Sequence, residues 1–75
     1  MDIKIGFSDS PRELVVSSRE DHNEIVDRIH NALRDAEGVL DLVDDHGNRY
    51  LVRNARIAYV EVGSTAPRTV GFAGA

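Results

Sequence analysis

The stretch Asp21-His22-Asn23-Glu24-Ile25-Val26-Asp27-Arg28-Ile29-His30-Asn31-Ala32-Leu33-Arg34 decides the fold of this 75-residue chain. Its apolar side chains recur at helical spacing, with strand-like sequence on either side. Ile25, Ile29, Ala32, Leu33 and Ala36 stand three or four residues apart and form one stripe, with Val26 at its margin. Glu20, Glu24, Asp27, Arg28, Asn31, Arg34 and Asp35 occupy the other side, which marks a surface helix. Ser18, and Asp21 followed by Glu24, offer capping groups at its start. Gly38 stands where a left-handed C-cap would end it, and Glu24 with Arg28 makes an i,i+4 ion pair.

Before the helix, Ile3, Ile5 and Phe7 alternate with Asp2, Lys4 and Gly6, the period of a strand with one buried face. Ser8-Asp9-Ser10-Pro11 is turn chemistry, and Glu13-Leu14-Val15-Val16-Ser17 resumes strand character, so the two strands form a hairpin. After the helix, residues 39–43, 49–53, 56–62 and 68–72 read as closely spaced strands. The turns between them are Asp44-Asp45-His46-Gly47-Asn48, Asn54-Ala55 and Gly63-Ser64-Thr65-Ala66-Pro67. The predicted architecture is α+β: one domain over residues 1–75, with an antiparallel sheet of five to six strands. The helix packs on one face of that sheet, in the order ββαββββ.

Composition narrows the function. Without cysteine there are no disulfides and no thiolate metal sites, and a cytoplasmic location is the expectation. No apolar run approaches the roughly 18 residues of a membrane span, and the first residues lack a basic region followed by an apolar stretch. A net charge of −4 disfavours general nucleic-acid binding. The charge is uneven: residues 1–45 carry five basic and twelve acidic side chains, whereas residues 46–75 carry four arginines against Glu61 alone.

If Asn54-Ala55 is a two-residue loop, Arg53 pairs with Arg56, Val52 with Ile57 and Tyr50 with Tyr59. Alternation then gathers Leu40, Leu42, Leu51, Ala58, Val60, Val62, Val70 and Phe72 on the face that receives the helix. Tyr50, Val52, Ile57 and Tyr59, with Val43, fall on the other. One helix covers one face of a sheet, so this second face is the candidate interaction surface. Arg49, Arg53, Arg56 and Arg68 form a second candidate, a contact for an anion or a nucleic-acid backbone.

Catalytic signals are weak. No glycine-rich phosphate loop precedes the helix, and no metal ligand stands four residues from His22 or His30. Asp44-Asp45-His46-Gly47 is ordinary turn composition, and no motif frames Ser10 or Ser64 as a nucleophile. The expectation is no enzymatic activity, no cofactor and no metal.

Several stretches carry a family resemblance: Ile3-Lys4-Ile5-Gly6, Asp9-Ser10-Pro11-Arg12-Glu13-Leu14-Val15, Asn31-Ala32-Leu33-Arg34-Asp35, Ala55-Arg56-Ile57-Ala58-Tyr59-Val60-Glu61-Val62-Gly63 and Arg68-Thr69-Val70-Gly71-Phe72. In these the chain resembles the small actinobacterial proteins grouped as domain of unknown function 3107. The resemblance implies a cytoplasmic actinobacterial protein and supplies no catalytic or ligand residue. The leading reading is a non-enzymatic interaction module whose partner is a second copy (a homodimer) or another protein. The arginine contact is the alternative.

Overall fold

A computed structural model describes residues 1–63. The elements are β1 (Asp2–Phe7), β2 (Ser10–Ser17), α1 (His22–Arg34), β3 (Val39–Val43), β4 (Arg49–Arg53), a single 3-10 turn (Asn54–Arg56) and β5 (Ile57–Val62). This is the α+β class with one helix and antiparallel strands. The strand expected at residues 68–72 lies outside the described residues, as does most of the turn before it.

The strands form two sheets rather than one. β1 is the centre of a three-stranded sheet in the order β2-β1-β5, and β3 pairs with β4 alone. The expected hairpin between β4 and β5 is therefore absent among the described residues, and the pairs Arg53–Arg56, Val52–Ile57 and Tyr50–Tyr59 do not form. Two-residue hairpin loops require positive φ, which neither Asn54 nor Ala55 supplies as readily as glycine. The backbone instead takes a 3-10 turn, and Asn54 is drawn inward. Its amide donates to the Gly38 carbonyl at 3.1 Å and its Nδ2 to the Asp35 carbonyl at 2.8 Å. That redirects β5 to β1, where Ile3 faces Val62, Ile5 faces Val60 and Gly6 faces Tyr59.

On its other side β1 pairs with β2 as the sequence predicts, Ile3 facing Val16 and Ile5 facing Leu14. The pairing starts at Ser10, earlier than expected, with a bulge between Gly6 and Phe7. Because the strand is central, Ile3 and Ile5 are fully buried. They share the core with Val16 of β2, Ile25, Ile29 and Ala32 of α1, and Leu40, Leu42 and Val52 of the β3–β4 hairpin. The helix lies against β3, β5 and the 3-10 turn.

Helix entry follows the sequence: the Asp21 carboxylate accepts from the Glu24 amide at 3.1 Å. The exit does not, because the helix stops at Arg34 and Asp35 caps it, its amide donating to the Ala32 carbonyl. Gly38 is thus a linker rather than a left-handed C-cap; among the described glycines only Gly47 has positive φ, at 87°. Leu33 is half exposed and Ala36 lies beyond the helix, so the buried stripe is narrower than predicted. Arg28 bonds Glu20 in the loop ahead of the helix, at 2.9 and 3.3 Å, rather than Glu24 one turn away.

Candidate functional site

Two strand faces point away from the core, and each carries apolar side chains into solvent. The first is the outer side of the three-stranded sheet. Side chains alternate across a strand, so with Ile3 and Ile5 inward, Asp2, Lys4 and Gly6 turn outward. Register then places Ser17, Val15 and Glu13 beside them from β2, and Tyr59 and Glu61 from β5. Val15 is 50% exposed and Tyr59 49%. The Tyr59 ring lies over Gly6, where a methyl group would overlap it, and its hydroxyl donates to the Glu13 carboxylate. That bond raises the Tyr59 phenol above its ordinary value, with desolvation and the nearby charges of Glu13 and Glu61 acting in the same direction. Ser17 donates to Asp2 Oδ1 at 3.1 Å. The face carries three carboxylates against the single ammonium of Lys4.

The second is the outer side of the β3–β4 hairpin. Leu40 faces Val52 and Leu42 faces Tyr50 on the core side, which leaves Val39, Asp41 and Val43 outward beside Arg53, Leu51 and Arg49. Leu51, expected in the core, is the most exposed large apolar side chain described, at 67%, with Val39 at 55% next to it. Arg49 bridges to Asp41 across the strands, and this bond holds the Asp41 carboxyl below its usual range against the opposing effect of desolvation.

Where the hairpin meets the loop ahead of the helix there is an open groove of about 720 Å³. Arg19, Arg28 and Arg49 share it with Glu20, Asp41, Asp44 and Asp45. Arg28 is paired with Glu20 and Arg49 with Asp41. Asp44 organises the hairpin turn, accepting from the amides of Asn48 at 2.8 Å and His46 at 2.9 Å, from Asn48 Nδ2 and from the Tyr50 hydroxyl. Desolvation works to raise the Asp44 carboxyl, but these donors outweigh it and hold the group below its ordinary value. The same contact raises the Tyr50 phenol. Among the described residues, no group of three or more His, Asp or Glu side chains is placed to hold a metal ion.

The four residues of the sequence-derived face separate. Val52 is buried, and Tyr50 and Ile57 are half-buried and packed against the core. Ile57 faces Phe7 past the bulge, which turns it inward. Tyr59 alone points outward. Of the arginines, Arg49 is bonded to Asp41 and Arg56 to Asp9, Arg53 is exposed on the hairpin face, and Arg68 lies outside the described residues. Val15 and Leu51 both sit in unbroken apolar runs, Leu14-Val15-Val16 and Tyr50-Leu51-Val52, where alternation alone does not choose the inward residue, and Leu51 turns outward rather than to the core face expected for it.

The fold and these surfaces define a small α+β domain with two open strand faces and a groove of mixed charge. The chain belongs to the family described as Protein of unknown function (DUF3107), whose model matches residues 1–73. No curated protein matches the sequence. Among the described residues, no helix is long and apolar enough to cross a membrane.

Proposed function

We propose that this chain is a non-enzymatic, cytoplasmic protein-interaction module. The observation that carries the reading is the outer face of the three-stranded sheet, where Val15 and Tyr59 stay half exposed while the helix packs on the opposite side. Apolar area of this kind, rimmed by charges, is how contact surfaces are built. Tyrosine suits such a surface, because its ring offers area at low entropic cost while its hydroxyl is already satisfied by Glu13. The groove supports the non-enzymatic part: Asp41 and Asp44 are held ionised by their donors, which makes them poor proton donors at neutral pH. The cysteine-free composition fits a reducing compartment. The arginine reading stands second, because Arg49 and Arg56 already face carboxylates.

The test is affinity capture with tagged wild type, Tyr59→Glu and the helix-surface control Asp27→Lys, after nuclease treatment. A stoichiometric protein, of another sequence or an untagged copy of this one, should be retained by wild type and by the control and lost by Tyr59→Glu. Equal capture by all three would remove this face from the account.

A further inference from the structure

We infer that the outer face of the three-stranded sheet of one copy docks on the outer face of the β3–β4 hairpin of another, so that the chain associates head to tail. The inference rests on the interaction reading above and names the partner. Both faces point away from the same core, so they do not meet within one chain. Their apolar side chains are comparable, Val15 and Tyr59 on one, Val39, Leu51 and Val43 on the other. Their charges differ. The sheet face carries Asp2, Glu13 and Glu61 against Lys4, whereas the strand positions of the hairpin face carry Arg49 and Arg53 against Asp41.

Two sheet faces brought together across a two-fold axis would gather six carboxylates around two lysines, and two hairpin faces four arginines around two carboxylates, each with like charge in excess. Unlike faces match, with Arg53, which has no carboxylate within ion-pair distance among the described residues, meeting the acidic side. The groove shares Asp41, Val43 and Arg49 with the hairpin face and holds three arginines against four carboxylates, so the attraction to the acidic sheet face is centred on Arg53, at the opposite end of the hairpin. Two hairpin strands about 5 Å apart and roughly 17 Å long offer a small footprint, below that of permanent complexes, so the contact is weak and reversible. A heterologous contact leaves one free face at each end, so assembly continues beyond the dimer as concentration rises.

The experiment is sedimentation equilibrium of wild type, Val15→Arg, Leu51→Glu and an equimolar mixture of the two variants, from micromolar to millimolar concentration. Both substituted residues are exposed, and circular dichroism checks that the variants fold; Val15→Lys and Leu51→Gln are the milder pair. Wild type should self-associate beyond a dimer, and each variant alone should lose at least tenfold in association constant. The mixture should recover a one-to-one dimer that grows no further, because each variant keeps the face the other lacks. Loss in both variants without recovery on mixing would overturn the head-to-tail contact while leaving the interaction reading intact. A wild type that stays monomeric throughout would overturn self-association, and the capture experiment then decides the wider reading.

Discussion

Gly6 is the position at which the β1–β5 pairing and the exposed tyrosine meet, so Gly6→Ala perturbs both at once. The added methyl would fall inside the Tyr59 ring, and the ring must leave. Forcing a methyl group into a packed contact costs about 1–3 kcal/mol, and the lower part of that range applies because the ring is half exposed and can swing outward. Alanine also removes about 0.4–1 kcal/mol of conformational freedom from the unfolded chain, which offsets part of the cost. The balance is a destabilisation of about 0.5–1 kcal/mol, or roughly 2–8 °C in Tm for a domain of this size. The displaced ring also loses the Glu13 carboxylate, so one tyrosine should titrate closer to the ordinary phenol value of about 10 while Tyr50, bonded to Asp44, keeps its raised value. Thermal melts and spectrophotometric titration of tyrosinate read both effects. An unchanged Tm together with an unchanged tyrosine titration would mean that Tyr59 does not rest on Gly6, and the register of β5 against β1 would be wrong.

Ile5→Ala empties a fully buried site on the central strand and should cost about 2–5 kcal/mol in urea unfolding; a loss below about 1 kcal/mol would mean that β1 is not central. Gly47→Ala has open space around the new methyl, so its cost is backbone alone, about 1–2 kcal/mol for a residue at φ 87°, and Gly47→Asn should cost less; equal melts for all three would contradict the turn. Asp41 and Asp44 both have carboxyls held below their ordinary value in the folded chain, Asp41 by the Arg49 guanidinium and Asp44 by the donors of its turn against the opposing effect of desolvation. Their contribution is therefore complete above the unfolded value and lost as pH falls through the folded ones, so stability should decline in acid below about pH 4–5. Asp44→Asn should flatten that decline, and an unchanged acid slope would count against the turn network.

Elements set by local chemistry were legible in the sequence. Alternation in Ile3-Lys4-Ile5 gave β1, the Ser8–Pro11 cluster gave the first hairpin, and Asp21 with Glu24 gave the helix start. What failed depended on distant partners. Asn54-Ala55 looks like a loop between adjacent strands, yet the Asn54 side chain is held by Asp35, nineteen residues earlier, and no local pattern reports that bond. A hairpin there would make Tyr50 and Tyr59 neighbours on one face; with β5 on β1 they lie on different sheets. Leu51 was misplaced for a related reason: which of β4's two faces turns inward depends on how the Asp44–Asn48 turn closes. That turn closes through the Asp44 amide donating to Asn48, so that Val43 faces Arg49. Tyr59 survived as an outward residue because its strand parity is the same whether β5 borders β4 or β1.

The most direct measurement of the central claim, that the outer strand faces are contact surfaces, is a dilution series of amide NMR spectra on the wild-type chain. The account predicts that amides of Val15, Lys4 and Tyr59 and those of Val39, Leu51 and Arg53 shift together with concentration along one binding curve, while Ile5 and Ile25 in the core stay fixed. Concentration-independent positions for both groups, or shifts confined to the polar side of the helix, would contradict it.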